Sequence, residues 1–137
     1  MGSVPTERRL LRAKDLMDSR YAEPLGVADI ARAVYMSQAH FSREFRRAFG
    51  ETPHRYLLTR RMERAAALLL TTDRTVTDIC AHVGLRSVGA FTTSFGRTFG
   101  MSPTAYRARY SPALHRARVP GCVLRAWGRP ASAKGRA

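Results

Sequence analysis

The sequence predicts an all-α fold of two similar helical units joined by one long helix, about seven helices in total. Three observations carry this expectation. The phrase "SQAHFSREFRRAFG" at residues 37–50 returns as "SVGAFTTSFGRTFG" at residues 87–100, keeping its serine, three phenylalanines and closing glycine. The rings, Phe41, Phe45 and Phe49, then Phe91, Phe95 and Phe99, recur at i, i+4 and i+8, which places them on one side of a 3.6-residue helix. Each phrase is also punctuated as a helix is, with a capping serine ahead and a glycine behind.

Taken in order, residues 7–21 carry Leu10, Leu11, Lys14 and Met17 at helical spacing, predicting a first helix that caps the first unit. A short helix follows over residues 27–34, burying Ile30 and Val34. "YMS" is a tight turn, and Ser37 is the N-cap of the phenylalanine helix. Gly50 suits the left-handed residue just past a helix end, and Thr52-Pro53 supplies a new N-cap with proline at the first helical position. "PHRYLLTRRMERAAALLLTT" then reads as one long helix, about residues 53–71, with an apolar stripe of Leu58, Met62, Ala65 or Ala66, and Leu69. It is expected to act as a rigid spacer.

The second unit repeats the first. Val27 aligns with Val76, Asp29 with Asp78, Ile30 with Ile79 and Val34 with Val83, and one extra residue near Arg86 resets the offset before Ser87. Ser102-Pro103 opens a last short helix, "PTAYRARY". Two copies are too few for a solenoid, so the period marks a duplicated unit. Helix, short turn, helix at these lengths is the helix-turn-helix pattern, here at about residues 27–49 and 76–99 of a domain spanning 6–110. Residues 111–137 change in texture, with three prolines, three glycines, six basic residues and no acidic one, and read as a basic, flexible tail.

Charge sets the class of partner. The 24 Lys+Arg against 10 Asp+Glu leave a formal +14, which favours an anionic partner such as nucleic acid, a membrane surface or an acidic protein. Nearly all of the basic residues are Arg; high-GC codon usage explains that choice over Lys but not the net excess. No run of about eighteen apolar residues exists, so no membrane span or membrane partner is expected. The N-terminus lacks the apolar segment of a secretory signal, and the match of Gly2 and Thr6 to a myristoylation pattern is read as chance. Cys80 and Cys122 make neither a disulfide framework nor a metal site; Cys80 reads as buried filler and Cys122 as an inert thiol, and a cytoplasmic, nucleoid-associated location is expected. His82 and His115 have no partner at metal-ligand spacing, so neither metal nor cofactor is expected, and no catalytic constellation is legible.

Two such units within about a hundred residues resemble the DNA-binding domain of the AraC/XylS family of bacterial transcription regulators. The resemblance rests on Asp29-Ile30-Ala31, Phe45, Phe49-Gly50, Pro53 and Tyr56, then Arg61, Glu63, Arg64 and Ala65 in the long helix. In the second unit it rests on Val76, Asp78-Ile79, Val83-Gly84, Phe91, Phe95, Phe99-Gly100, Ser102-Pro103 and Tyr106-Arg107. It implies a regulator that binds double-stranded DNA as a monomer, with its two recognition helices in successive major grooves, and a structural part for Arg61 and Glu63. The chain looks like the minority of the family that consists of the DNA-binding domain alone.

Geometry nominates the contacts. Advancing 100° per residue from Phe41, the side opposite the rings carries Ala39, Arg43, Arg46 and Arg47, flanked by His40 and Ser42, with Ser37 and Gln38 at the helix start. A helix-turn-helix reads bases mainly from the N-terminal part of its second helix, and later residues meet phosphates. Arg43 is therefore the candidate for a bidentate contact to guanine, worth about 1–3 kcal/mol of discrimination. Ser42 and His40 add polar contacts, Ala39 can lie against a thymine methyl, and Arg46 and Arg47 clamp phosphates. The family resemblance assigns base contact to the positions of Ala39, Ser42 and Arg43, in agreement.

The matching face of the second helix carries Ser87, Val88, Gly89, Thr92, Thr93, Gly96 and Arg97. This departs from the family, whose members often carry Gln or Arg there. Threonine cannot make a bidentate contact, and the two glycines weaken the helix by about 1 kcal/mol each. Either packing tolerates them or they permit close approach to the groove. Two other readings compete with a sequence-specific regulator: an architectural protein that coats DNA with little preference, and a module that binds a partner such as RNA polymerase through Trp127 and the tail. An enzyme is not expected, because a DNA-repair relative would need a cysteine-bearing catalytic region that this chain lacks.

Overall fold

The computed structural model describes residues 5–112. Among them the chain forms seven α-helices: α1 (Thr6–Ser19), α2 (Val27–Ala33), α3 (Gln38–Phe49), α4 (Pro53–Thr71), α5 (Val76–His82), α6 (Val88–Phe99) and α7 (Pro103–Tyr110). The chain divides into two compact units between Arg61 and Met62, within α4. The expected all-α class, the long joining helix and the two helical pairs are all present. The expectations for residues 113–137, including the tail's character, Cys122, His115 and Trp127, lie outside the described residues.

In the first unit α1 packs on α2 and α3, and α2 on α3. Leu10, Ala13, Met17, Ile30, Val34, Phe41 and Phe45 are buried there with Tyr56 and Leu57 from the start of α4. Two sequence expectations about the apolar stripes shift, by two residues in α1 and by one in α4. Leu11 is 55% exposed and Ala13 takes its place, because the i, i+3, i+7 row through Leu10, Ala13 and Met17 turns Leu11 about 100° away from the core. In α4 Leu57 is buried and Leu58 only half-buried, since Tyr56 and Leu57 face this core together.

The repeated phrase is repeated in space. Phe45 meets Phe41 (5.6 Å between centroids), Phe49 (4.7 Å) and Tyr56 (5.7 Å) in tilted and edge-to-face contacts. In the second unit Phe95 stands likewise between Phe91 (5.8 Å), Phe99 (4.6 Å) and Tyr106 (5.4 Å). Phe41, Phe45, Phe91 and Phe95 are fully buried, while Phe49 and Phe99 are half-buried. Lys14, expected simply to continue the α1 stripe, places its ammonium 4.5 Å from the Phe49 centroid, a cation–π contact that closes the open end of the stack.

The caps fall where the sequence places them. Ser37 Oγ accepts from the His40 amide (3.2 Å) and Ser87 Oγ from the Ala90 amide (3.1 Å). Thr52 Oγ1 accepts from the Arg55 amide (3.2 Å) and Ser102 Oγ from the Ala105 amide (3.1 Å). Gly50 and Gly100 hold φ of 81° and 77°, the left-handed conformation that glycine takes without a Cβ penalty. Ser111, expected as the first tail residue, is instead the buried C-cap of α7, its amide donating to the Arg107 carbonyl (2.9 Å).

Two arginines bind backbone carbonyls at helix connections inside their units. Arg61 donates to the Tyr21 carbonyl (2.7 Å) and the Glu23 carbonyl (2.9 Å), holding the α1–α2 connection; burial lowers its pKa from the ordinary guanidinium value. Arg107 donates to the Leu69 carbonyl (3.0 Å) and the Thr72 carbonyl (3.2 Å), satisfying orphan acceptors at the end of α4. Arg61 is thus structural, as the family resemblance implies.

Candidate nucleic-acid interface

The frame that buries Phe41 and Phe45 leaves the other side of α3 in solvent. Gln38, Ala39, His40, Arg43, Arg46 and Arg47 are all exposed, and Ser42 is half-buried. Neither Arg43 nor Arg46 has a hydrogen-bond or ion-pair partner among the described residues, so each guanidinium keeps its full donor set for a ligand. Arg47 differs: its Nη1 lies 3.4 Å from Glu44 Oε2, with the Arg47 side chain 77% exposed. A pair that open is worth about 0–1 kcal/mol and yields readily to a phosphate. The structure therefore separates Arg46, free, from Arg47, loosely held.

Ser37 spends an acceptor lone pair on its helix cap and keeps its O–H as a donor. Ser87 is placed identically at the head of α6. On α6, Val88, Gly89, Thr93 and Arg97 are exposed, and Thr92 and Gly96 are half-buried. Thr93 Oγ1 donates to the Gly89 carbonyl (3.1 Å), so its hydroxyl is left chiefly with acceptor capacity. Arg97 is the one cation on this helix, against three on α3.

The glycines on α6 are not there for packing. A Cβ built on Gly96 meets nothing within 4 Å, and one on Gly89 meets only Ser87 Oγ at 3.8 Å, an ordinary contact. Both positions have room for alanine in the protein itself. Of the two explanations open in the sequence, internal packing is removed.

The turns ahead of the two helices differ at one aligned position. Gly84 holds φ 88° and the aligned residue Tyr35 holds φ 61°. Left-handed backbone costs a residue with a side chain roughly 1–2 kcal/mol. The Tyr35 ring is 79% exposed. The signal was available: Val34 aligns with Val83, so a tyrosine stands where the second copy has glycine.

The remaining chemistry is structural. The Cys80 thiol is buried, donates weakly to the Leu85 carbonyl (3.6 Å) and has its pKa raised by burial, as expected of core filler. His82 Nδ1 lies 3.0 Å from Arg74 Nη1. Among the described residues no cluster of His, Cys, Asp and Glu is arranged to hold a metal ion, and no helix is long and apolar enough to cross a membrane.

Comparison with known proteins places this geometry. A sequence family described as a helix-turn-helix domain matches residues 30–109. The lactose operon transcription activator of Staphylococcus xylosus is 30% identical over 99 residues, which are 72% of this chain and 36% of that protein. Among solved structures, the DNA-binding domain of AdpA, a global transcriptional factor crystallised with a target DNA, is 35% identical with a TM-score of 0.72, covering 82% of this chain and 97% of that one. A transcriptional regulator from Chromobacterium violaceum, described as AraC-type, is 31% identical with a TM-score of 0.69, covering 76% and 93%. The chain spans about a third to two fifths of the length of the curated relatives it matches. Those relatives are transcription regulators, not enzymes. With the helix-turn-helix pattern matched over more than half of its length and a DNA-binding domain matched almost whole, the chain belongs to the AraC-type family of helix-turn-helix DNA-binding domains.

Proposed function

We propose that this chain is the DNA-reading part of a transcription regulator, with α3 as its discriminating helix and α6 as a close-fitting second contact. The observation that supports it most directly is the exposed, unpartnered Arg43 in the first half of α3, opposite two fully buried phenylalanines. A guanidinium so held matches the two acceptors of guanine, O6 and N7. Ala39 and Ser42 lie beside it for methyl and hydroxyl contacts, with His40, Gln38 and Ser37 toward the helix start. Arg46 and Arg47 meet phosphates. On α6, Val88 and Gly89 sit against the groove wall, Thr92 and Thr93 bond to base edges, and Ser87 and Arg97 hold the backbone. Because the frame is built twice within one chain, we infer that a monomer engages two successive major grooves, in the cytoplasm on the nucleoid.

Selecting bound duplexes from a random library tests this reading. Two preferred segments about 10–10.5 base pairs apart are expected, with the stronger preference in one of them. A second reading, an architectural protein with little preference, is favoured by the absence of any guanidinium in the first half of α6. Competition by random duplex at physiological salt separates the two, since a specificity ratio near one leaves only the architectural reading. A role for residues 113–137 in contacting RNA polymerase would show as lost transcriptional output at unchanged DNA affinity when they are removed.

A further inference from the structure

Tyr35 is the one residue with a side chain that holds a positive φ among the described residues. Its amide donates to the Arg32 carbonyl (3.1 Å) and its carbonyl accepts from Arg9 Nη1 (3.2 Å), so the turn is pinned from both sides. The ring gains nothing from this. It is the most exposed large apolar side chain in the described residues, at 79%, and its hydroxyl has no partner among them. The second unit makes the same turn with Gly84, which takes the left-handed conformation without penalty. A strained residue that neither packs nor pairs serves something other than the fold.

Its position says what. Tyr35 lies two residues ahead of Ser37, the N-cap of α3, and therefore at the mouth of the helix that reads the groove. The neighbouring cations are Arg9, whose Nη1 donates to the Tyr35 carbonyl, and Arg32 one turn back on α2, which is 75% exposed and held 3.3 Å from Asp29 in a pair open enough to yield to a phosphate. A phenol in that setting suits an anionic oxygen: tyrosine is among the side chains that donate to phosphates and so fix a protein's register on a duplex.

We propose that Tyr35 is a positioning residue whose O–H donates to a phosphodiester oxygen on the rim of the groove that α3 enters. The inference rests on the proposed function and adds an asymmetry to it. The first unit sets register through Tyr35, and the second, with Gly84, makes no such contact. Because the phenol is neutral, this contact displaces no counterion, unlike those of Arg46 and Arg47.

The test measures thermal stability and DNA affinity of Tyr35→Gly, Tyr35→Phe and Arg43→Ala on the selected duplex and on single-base variants of it. Tyr35→Gly is expected to raise Tm by relieving the backbone, and to weaken binding about tenfold on every duplex with base preference and salt slope unchanged. Tyr35→Phe is expected to lose as much affinity without the gain in Tm, since it keeps the strain and removes only the O–H. Wild-type affinity in either variant overturns the phosphate contact. If Arg43→Ala still loses its base preference in that case, the proposed function stands and only this inference falls; a wild-type chain that selects no duplex sinks both.

Discussion

Arg43 and Arg46 lie three positions apart on α3, both exposed and both without a partner among the described residues, yet geometry assigns them different work. Arg43, nearer the helix start, is placed for base edges, and Arg46, in the last turn, for phosphates. Arg43→Ala is expected to relax preference at one base pair, costing about 1–3 kcal/mol there and little on sites already mismatched at that position. Arg46→Ala is expected to weaken every sequence alike and to reduce the salt slope by about one. Titrating both variants against a panel of single-base substitutions checks the pair; uniform weakening in both would remove base reading from Arg43. Arg61 is a contrasting case, because its guanidinium serves two carbonyls in the α1–α2 connection. Arg61→Met keeps the aliphatic stem but leaves those acceptors without their charged donor, so a loss of about 2 kcal/mol in denaturant unfolding is expected. Composition alone could not separate these three arginines. Helical angle sorted Arg43 from the core, but only the fold brings the Tyr21 and Glu23 carbonyls, some forty positions away, onto Arg61.

Helices were legible wherever the sequence both repeats and punctuates them. Serine, phenylalanine and glycine at matched spacing specified α3 and α6 with their caps, because capping and the left-handed stop are local chemistry. What a single helix cannot reveal is which of two adjacent apolar residues meets a neighbour, and so Leu11, beside the buried Leu10, and Leu58, beside the buried Leu57, are less buried than their apolar character suggests. Glycine within α6 poses a sharper case, since identical residues are expected to respond with opposite sign. Gly96 lies in the last turn of α6 with open space where a Cβ would go, so Gly96→Ala should stabilise the free protein by up to about 1 kcal/mol. Gly100 holds φ 77° at the helix end, so Gly100→Ala should destabilise it, by about 1 kcal/mol or more. Thermal melts of the two variants decide the matter, and the same sign in both would mean that α6 does not end as described. A Gly96→Ala chain that gains stability and loses DNA affinity would show that the missing side chain serves the groove.

At the scale of the whole chain, charge governs how strongly the protein holds DNA, whichever residues read it. The net +14 is distributed unevenly, and six of the basic residues lie within 113–137, a segment with no acidic residue. The structure decides where a truncation should fall. Ser111 is buried and caps α7, so removal must begin at residue 113; a cut at 111 would open the end of α7 and confuse lost charge with lost fold. Each phosphate neutralised contributes about 0.9 to the log–log salt slope on duplex DNA. If all six cations lie on phosphates, the truncated chain should show a slope shallower by about five and a base preference unchanged, since none of the six is on α3 or α6. Affinity measured across a series of salt concentrations on the selected duplex and on random duplex reads both quantities together. An unchanged slope would mean that the segment stays off the DNA, leaving discrimination and grip alike to the residues of the two helical pairs.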